Sequence, residues 1–570
     1  MSSIEPAASS CIFAPVTRIA LISSDSPGHR KARGAFFTPP ELCTHLADWA
    51  IRDPGDQILE PSCGEAAFLL AAARRLGDLG AAPGGLHGTE LHNDSVAAAG
   101  RYLKEAGYEA DLQTGDFFAR PPRPEFDAVV GNPPYVRYQG FSGDARSAAR
   151  EAALQAGVRL SALASSWAAF TVHAALFLKP QGRLGLVLPA ELLSVNYAAE
   201  VRSFLMRRFA RVRLVLFTER VFPGVQEEVV LLQAEGQGPT DHCELHQVRD
   251  LEELVSSTQL VSSWVPTRPN AKWTDALLPA EARALFSRLS GEAGFGRLLD
   301  WGETTLGAVT GNNRYFALSP DEVQALGLSP SDLVPMSPTG SRHLRHRLDL
   351  TADDWTRLGE GGAPTWLFRP EGEPSAAARR YIEEGEARGV QLAYKCRVRD
   401  PWWRTPLVPP PDLFVTYMNA DTPRLVGNSA QVHHLNSVHG LYLHEGMADL
   451  GRSLLPLASL NAMTLLGAET VGRAYGGGLL KLEPKEADLL PVPSPRAVRA
   501  QAGALRMVRP VVIDLLRHGH LLEAVSRVDN ILLSDGMSVS ASELAQLRQA
   551  RATLAERRAA RGRSSSRSTE

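Results

Sequence analysis

The sequence of 570 residues lacks several features that would point to common functions. It has no run of about 18 consecutive apolar residues, the length that crosses a hydrocarbon layer, so a membrane span is not expected. Its five cysteines, Cys11, Cys43, Cys63, Cys243 and Cys396, are odd in number, scattered, and never arranged as C-x-x-C. That spacing argues against a disulfide framework and a zinc site, with no metal expected, and it fits a reducing cytoplasm. A formal charge of −3 excludes a uniformly basic nucleic-acid coat, so any DNA contact needs local basic patches. There is no G-x-x-x-x-G-K loop and no nuclease-like set of spaced Asp, Glu and Lys. ATP-driven activity and DNA cleavage are therefore not expected within the chain. No internal repeat is present, and the Ser/Ala/Pro-rich start lacks the basic and long apolar regions of a signal peptide.

Hydrophobic residues make up 44% and charged residues 22%, enough for more than one core. Between Gln57 and Gln233, short apolar runs alternate with Ala/Leu/Arg-rich stretches of helical spacing such as Ala66 to Leu76 and Ser166 to Leu178. The runs include Gln57 to Glu60, Gly85 to Glu90, Phe126 to Val130, Arg183 to Leu188, Val212 to Phe217 and Glu228 to Gln233. Such alternation predicts an α/β fold, a doubly wound Rossmann-like sheet with helices on both faces. The last two closely spaced runs predict an antiparallel hairpin at its C-terminal edge. Beyond Gly236, Pro, Gly, Trp and Arg become frequent and irregular segments interrupt short strands, which reads as a separate α/β module. The expected layout is a flexible arm over 1–30, an α/β domain over 31–236, a connector over 237–297, the module over 298–495 and a helical segment over 496–570. The last segment ends in an Arg-rich tail, Arg557, Arg558, Arg561, Arg563 and Arg567, which by composition reads as solvated, with DNA phosphates as its alternative partner.

The sharpest signal is Asp127-Ala-Val-Val-Gly-Asn-Pro-Pro-Tyr135, an apolar strand followed by an acceptor, two prolines and an aromatic. In an open α/β sheet, ligands sit beyond the carboxyl ends of strands, where this tetrapeptide falls. An aromatic exocyclic amine is a poor nucleophile because its lone pair is delocalised into the ring. Two acceptors on its two N–H groups favour a pyramidal nitrogen and free that pair. The Asn132 side-chain oxygen and the Pro133 carbonyl can be those acceptors. Pro134 keeps the chain extended there, and Tyr135 offers a ring face to a planar substrate. Read alone, the motif could equally be an ordinary Asn-Pro-Pro turn. Upstream, Ile58-Leu-Glu-Pro-Ser-Cys-Gly-Glu-Ala-Ala-Phe-Leu69 is a strand, a glycine turn and a helix start. Glu90 ends the next strand, where a carboxylate suits ribose hydroxyls. Thr114-Gly-Asp-Phe-Phe118 then offers Asp116 to an amino group and Phe117 as a ring wall.

This set of motifs resembles the gamma-class amino-methyltransferases of bacterial restriction–modification systems, over roughly Lys31 to Gln233 and more loosely to Pro493. The resemblance implies a DNA adenine-N6 methyltransferase that uses S-adenosyl-L-methionine and carries a C-terminal target-recognition domain. It assigns Thr38, in Gly34-Ala-Phe-Phe-Thr-Pro-Pro40, to the amino-acid end of the cofactor. Glu60, Pro61, Cys63 and Gly64 match the donor motif, Glu90 the ribose carboxylate, Asp116 and Phe117 the adenine contacts, and Phe170 a ring over the cofactor's adenine. Asn132, Pro133, Pro134 and Tyr135 match the family's catalytic tetrapeptide. Phe222, in Arg220-Val-Phe-Pro-Gly224, matches the aromatic that faces the flipped base opposite the tyrosine. The sequence departs from the family at Ala66, where a second glycine is usual, and at Glu90-Leu-His-Asn93, where Asp-Pro commonly follows.

The same resemblance implies double-stranded DNA as partner, direct methyl transfer after base flipping, and room for a separately encoded restriction nuclease. A cytoplasmic monomer is expected, and Cys63 is given no covalent role. Thr305 to Phe316, Tyr394 to Trp403 and Arg473 to Gly478 resemble parts of recognition modules. They set Arg314, Lys395, Arg397, Arg399, Arg404 and Arg473 beside Tyr and Trp, a composition suited to phosphate and base contact. The plainer reading makes Trp402 and Trp403 core and the arginines ion-paired. Two other functions share the motif logic or the fold: methylation of protein glutamine or ribosomal RNA guanine, and DNA binding without catalysis.

Overall fold

The computed structural model describes residues 38–563 except 82–83, 138–139, 141–142, 220, 223–227, 257–260 and 292–293. The expected arm over 1–30 therefore lies outside the described residues. The chain divides into two compact units, 1–188 and 189–570.

The first unit holds five strands: β1 (Ile58–Glu60), β2 (Leu86–Glu90), β3 (Asp111–Thr114), β4 (Phe126–Gly131) and β5 (Leu178–Pro189). They run parallel in the order β3-β2-β1-β4-β5. Strand β1 is buried throughout, flanked by β2 (Ile58 opposite Leu86) and by β4 (Ile58 opposite Ala128). The strand order reverses between β1 and β4, which opens a crevice at their carboxyl ends. Helices Pro40–Ala50, Ala67–Asp78 and Ser166–Ala174 bury Leu42 and Leu46, Phe68 and Leu69, and Trp167 respectively. This is the parallel, doubly wound arrangement expected from the alternation of runs.

The second unit contains β6 (Phe209–Phe217) and β7 (Val229–Gln237), antiparallel from Phe209 opposite Gln237 to Leu216 opposite Val230. The expected hairpin is present, but it is not an edge. β8 (Cys243–Val248) runs parallel to β6, and β9 (Val261–Trp264) pairs antiparallel with β8. Farther along, Gly302–Leu306, Val438–Leu443, Leu413–Thr416 and Leu425–Gly427 form an antiparallel sheet over a core that includes Trp301, Leu441, Leu454 and Leu457.

The C-terminal helix Ala541–Arg563 places Leu544, Leu547 and Leu554 in one cluster with Leu285, Leu289, Met463 and Leu466. Here the reading of a solvated Arg-rich tail is corrected. Arg558 is 6% exposed and forks onto Glu469, with Nε and Nη2 2.9 and 2.8 Å from its two oxygens. Arg557 pairs with Glu228 at 3.3 Å. Both partners are distant in sequence, so local composition could not show them. The side chains of Arg561, Arg563 and Arg567 lie outside the described residues. Among the described residues no single helix is long and apolar enough to cross a membrane, and the apolar pair Ala448–Ala458 and Ala462–Val471 is bent by 90°.

Candidate active site

The crevice between β1 and β4 gathers most of the residues singled out from the sequence. β1 delivers Glu60 to its floor, buried at 3% exposure, where one carboxylate oxygen accepts the Leu69 N–H at 3.0 Å. Burial pushes the Glu60 carboxyl well above the usual range, the Leu69 amide opposes that shift, and the nearby Glu90 adds to it. The chain then turns through Pro61, Ser62, Cys63 and Gly64 into helix Ala67–Asp78. Gly64 (φ +49°) and Ala66 (φ +68°) both take the left-handed conformation. Ala66 thus does what a glycine does more cheaply: a side chain there costs about 1–2 kcal/mol. Cys63 is buried, and burial raises its thiol far above the ordinary range, so it stays protonated. Cys43, Cys243 and Cys396 are likewise free and buried.

Glu90, at the end of β2, ties three loops together. Its carboxylate accepts from Gly64 N at 3.0 Å and from His92 N at 3.1 Å, and its carbonyl accepts from Gly115 N at 2.9 Å. Asp116 follows β3 and caps a short turn by accepting from Phe118 N at 3.0 Å. Phe117 is more enclosed than a ring wall: it stacks on Phe170 (5.5 Å, 19°) and Phe177 (5.1 Å, 29°) and meets His173 edge-on at 4.8 Å. Phe118, which the motif reading passed over, stays half-buried with its ring edge-on to Phe170 at 4.6 Å. Burial lowers the His173 pKa and keeps that ring neutral inside the aromatic cluster.

Past the end of β4 lies the tetrapeptide. Asn132 Nδ2 donates to Thr38 Oγ1 at 3.0 Å. That bond turns Asn132 Oδ1 toward the interior, where it is buried with no hydrogen-bond partner. An acceptor left so is costly, about 1–3 kcal/mol, unless something donates to it. The backbone beyond is fastened by Ser166, a residue that sequence reasoning missed. Its hydroxyl donates to the Pro134 carbonyl and accepts the Val136 N–H at 2.9 Å, while its own amide donates to the Val136 carbonyl at 3.0 Å. Tyr135 Oη donates to the Val187 carbonyl at 3.0 Å, which fixes its ring beside β5. Thr38, Glu60, Cys63, Gly64, Glu90, Asp116 and the tetrapeptide thus share one end of the sheet, with Phe117 and Phe170 in the cluster behind Asp116. Phe222 belongs to the second unit, buried at 5% exposure after β6, and Arg220 and Pro223–Gly224 around it lie outside the described residues.

With that geometry in place, comparison with known proteins decides the family. A model described as N-6 DNA Methylase matches residues 20–242, and one for the C-terminal domain of the type II methyltransferase M.Eco57I matches residues 270–533. The type II methyltransferase M.XamI of Xanthomonas campestris pv. amaranthicola is 25% identical over 504 residues, 84% of this chain and 89% of the relative. M.AccI of Acinetobacter calcoaceticus is 20% identical, over 80% of this chain and 85% of its own. These matches, over both parts of the chain, support an N6-adenine DNA methyltransferase of restriction–modification type. A solved structure of the type IIL restriction–modification enzyme MmeI shares the fold of this methyltransferase, with a TM-score of 0.52 at 11% identity, over 88% of this chain and 73% of that one.

The basic residues of the methyltransferase's second unit fall into two groups. Arg399 is structural: it donates to the Thr310 carbonyl at 2.8 Å and to the Val309 carbonyl. Arg473 is bound to Glu483 at 3.1 Å and lies 3.5 Å from Glu486. Trp403 is buried beneath Arg404 (5.3 Å), and half-buried Trp402 donates to Glu386 at 2.9 Å. Arg314, Lys395 and Arg397 are exposed, and Lys395 lies over the exposed Tyr394 ring at 5.7 Å. The plainer reading therefore holds for Arg473 and Trp403, Arg399 is instead spent on backbone carbonyls, and Arg314, Lys395 and Arg397 keep the composition of a DNA-contacting surface.

Proposed function

We propose that this methyltransferase uses S-adenosylmethionine to methylate N6 of an adenine rotated out of double-stranded DNA at a specific sequence. The observation that carries the reading is the buried Asn132 Oδ1, aimed and unpartnered at the end of β4. A group with an N–H to give is what that atom lacks, and the N6 amine has two. Asn132 Oδ1 and the Pro133 carbonyl would take them and draw the nitrogen toward a pyramidal shape. Pro134 keeps the residue before it out of the helical region, which leaves the Pro133 carbonyl outside any helical hydrogen bond. Tyr135 and Phe222 would stack on the extrahelical ring and offset part of the few kcal/mol that unstacking costs.

The donor side fits the cofactor in chemistry. Glu90 presents a carboxylate beside the Gly64 amide, Asp116 a second one beside the Phe117 and Phe170 cluster, and Glu60 a third near Pro61 and Cys63. Thr38 stands within hydrogen-bond reach of Asn132, so the cofactor and substrate sides of the crevice are physically joined. When bound, S-adenosylmethionine supplies an electrophilic methyl on its sulfonium. The protein's contribution is to hold N6 in line with it, so positioning is the main catalytic device. The Cys63 thiol takes no covalent part.

In this reading residues 31–236 form the catalytic domain and 298–495 the target-recognition domain, joined by 237–297, with a helical end over 496–570. The enzyme works as a monomer in the cytoplasm, alone or beside a separately encoded restriction nuclease. The test is to incubate purified protein and S-adenosylmethionine separately with unmethylated genomic DNA, ribosomal RNA and glutamine-containing peptides. N6-methyladenine at one recurring DNA sequence is the expected result. Methyl transfer only to RNA or peptide would overturn the DNA reading.

A further inference from the structure

The C-terminal helix Ala541–Arg563 carries two consecutive arginines that serve different parts of the second unit. Neighbouring residues on a helix point about 100° apart, so Arg557 and Arg558 cannot share a target. Arg558 grips Glu469, the Gly478 carbonyl and the Asp421 carbonyl, and so holds the tip of the hairpin Arg473–Lys481. Arg557 turns the other way. Its Nη2 donates to the Phe217 carbonyl at 2.9 Å and lies 3.3 Å from a Glu228 carboxylate oxygen.

Phe217 is the last residue of β6, and Glu228 immediately precedes β7. One guanidinium thus holds both feet of the connection that carries Phe222. The paired side chains are 15% and 13% exposed, so water is largely kept from replacing the bond. Glu228 is held from a second side, where its carbonyl accepts from Ala190 N at 2.8 Å. The helix itself is anchored by Leu544, Leu547 and Leu554, which fixes where the guanidinium sits. Both contacts come from the single nitrogen Nη2 at the far end of the guanidinium, and the ammonium of a lysine, on a different stem, does not reproduce its position.

We propose that Arg557 is a positioning residue for base flipping, holding Phe222 in place through both ends of the β6–β7 connection. This rests on the proposed role of Phe222. Composition makes an arginine-rich tail solvated, with DNA phosphates as its alternative partner, whereas Arg557 acts inward.

The test uses the full-length enzyme and duplexes containing its mapped recognition sequence, with the target adenine either paired or placed in a mismatch. A mismatched base leaves the stack at lower cost, so it compensates for poor base holding but not for a defect elsewhere. Arg557→Ala is expected to lower kcat on the paired duplex by about tenfold or more, to leave DNA affinity within about twofold, and to regain most of the loss on the mismatch. Arg557→Lys should show the same recovery from a smaller loss, and it decides the matter if the alanine variant does not fold. Phe222→Ala is the reference and should behave like Arg557→Ala. Wild-type kcat in both Arg557 variants would overturn the proposal. So would an equal loss on paired and mismatched DNA while Phe222→Ala recovers. If Phe222→Ala itself loses nothing, the role of Phe222 falls, and the role of Arg557 falls with it.

Discussion

Replacing Ser166 by alanine removes one hydroxyl from a buried helix start, yet it should be felt in the chemistry. The side chain is 2% exposed, donates to the Pro134 carbonyl and accepts the Val136 N–H at 2.9 Å. Each such neutral bond contributes about 1 kcal/mol net, so Ser166→Ala loses about 2 kcal/mol where the Asn-Pro-Pro-Tyr backbone is fastened. If all of that is expressed as a looser tetrapeptide, kcat falls by up to about 30-fold, since about 1.4 kcal/mol is tenfold in rate. The cofactor's KM should change less, because Glu60, Glu90 and Asp116 are held by other bonds. Initial rates of methyl incorporation into duplex DNA at saturating cofactor measure the effect, with circular dichroism to confirm folding. A double variant with Asn132→Ala should show less than the sum of the two losses, because Ser166 acts through the loop that Asn132 begins. A folded Ser166→Ala enzyme with kcat within about twofold of wild type, or strictly additive losses, would refute the reasoning.

Ala66→Gly should stabilise the enzyme by up to about 1 kcal/mol, because relief of a left-handed alanine outweighs the added freedom of glycine in the unfolded chain. Urea denaturation of the two proteins side by side checks it, and a loss of stability would contradict it. Glu60 has a raised pKa in the folded protein, so it costs stability above its unfolded value, increasingly as pH rises toward the folded one. Glu60→Gln should therefore be more stable than wild type at pH 8 and little different at pH 4, measured by thermal melting at both. A cationic cofactor favours the ionised carboxyl, so its affinity for wild type should tighten with rising pH, and that slope should flatten in Glu60→Gln. Glu469→Ala strands the buried Arg558 guanidinium and should cost about 3–5 kcal/mol, read from chemical denaturation, with Glu469→Gln milder.

Much of the first unit was legible because strand ends and chemistry coincide there. β1 and β4 are short, largely apolar runs, and the residues at or just beyond their ends are the ones singled out for function. β3 was harder to read: Asp-Leu-Gln-Thr at a sheet edge is mostly exposed and carries little apolar signal. β8 and β9 were missed for a different reason: Cys243-Glu-Leu-His-Gln-Val248 carries a partial strand-like alternation and is mostly buried, but it lies in a segment read as connector. Ser166 precedes an apolar helix run, where a serine ordinarily serves the helix, so nothing local pointed back to Val136. The inward arginines were illegible in principle. Glu228 lies 329 residues before Arg557 and Glu469 lies 89 before Arg558, and no local pattern announces such pairs. Phe117 shows the converse case, a correctly noticed ring whose faces are taken up by Phe170 and Phe177.

The most direct test of the central claim is a comparison of wild type with Asn132→Ala on unmethylated genomic DNA, with modified adenines mapped by single-molecule sequencing. The account predicts N6-methyladenine at one recurring sequence for wild type, and a rate at least about a hundredfold lower for a folded Asn132→Ala that still binds S-adenosylmethionine. Near-normal methylation by that variant would contradict it.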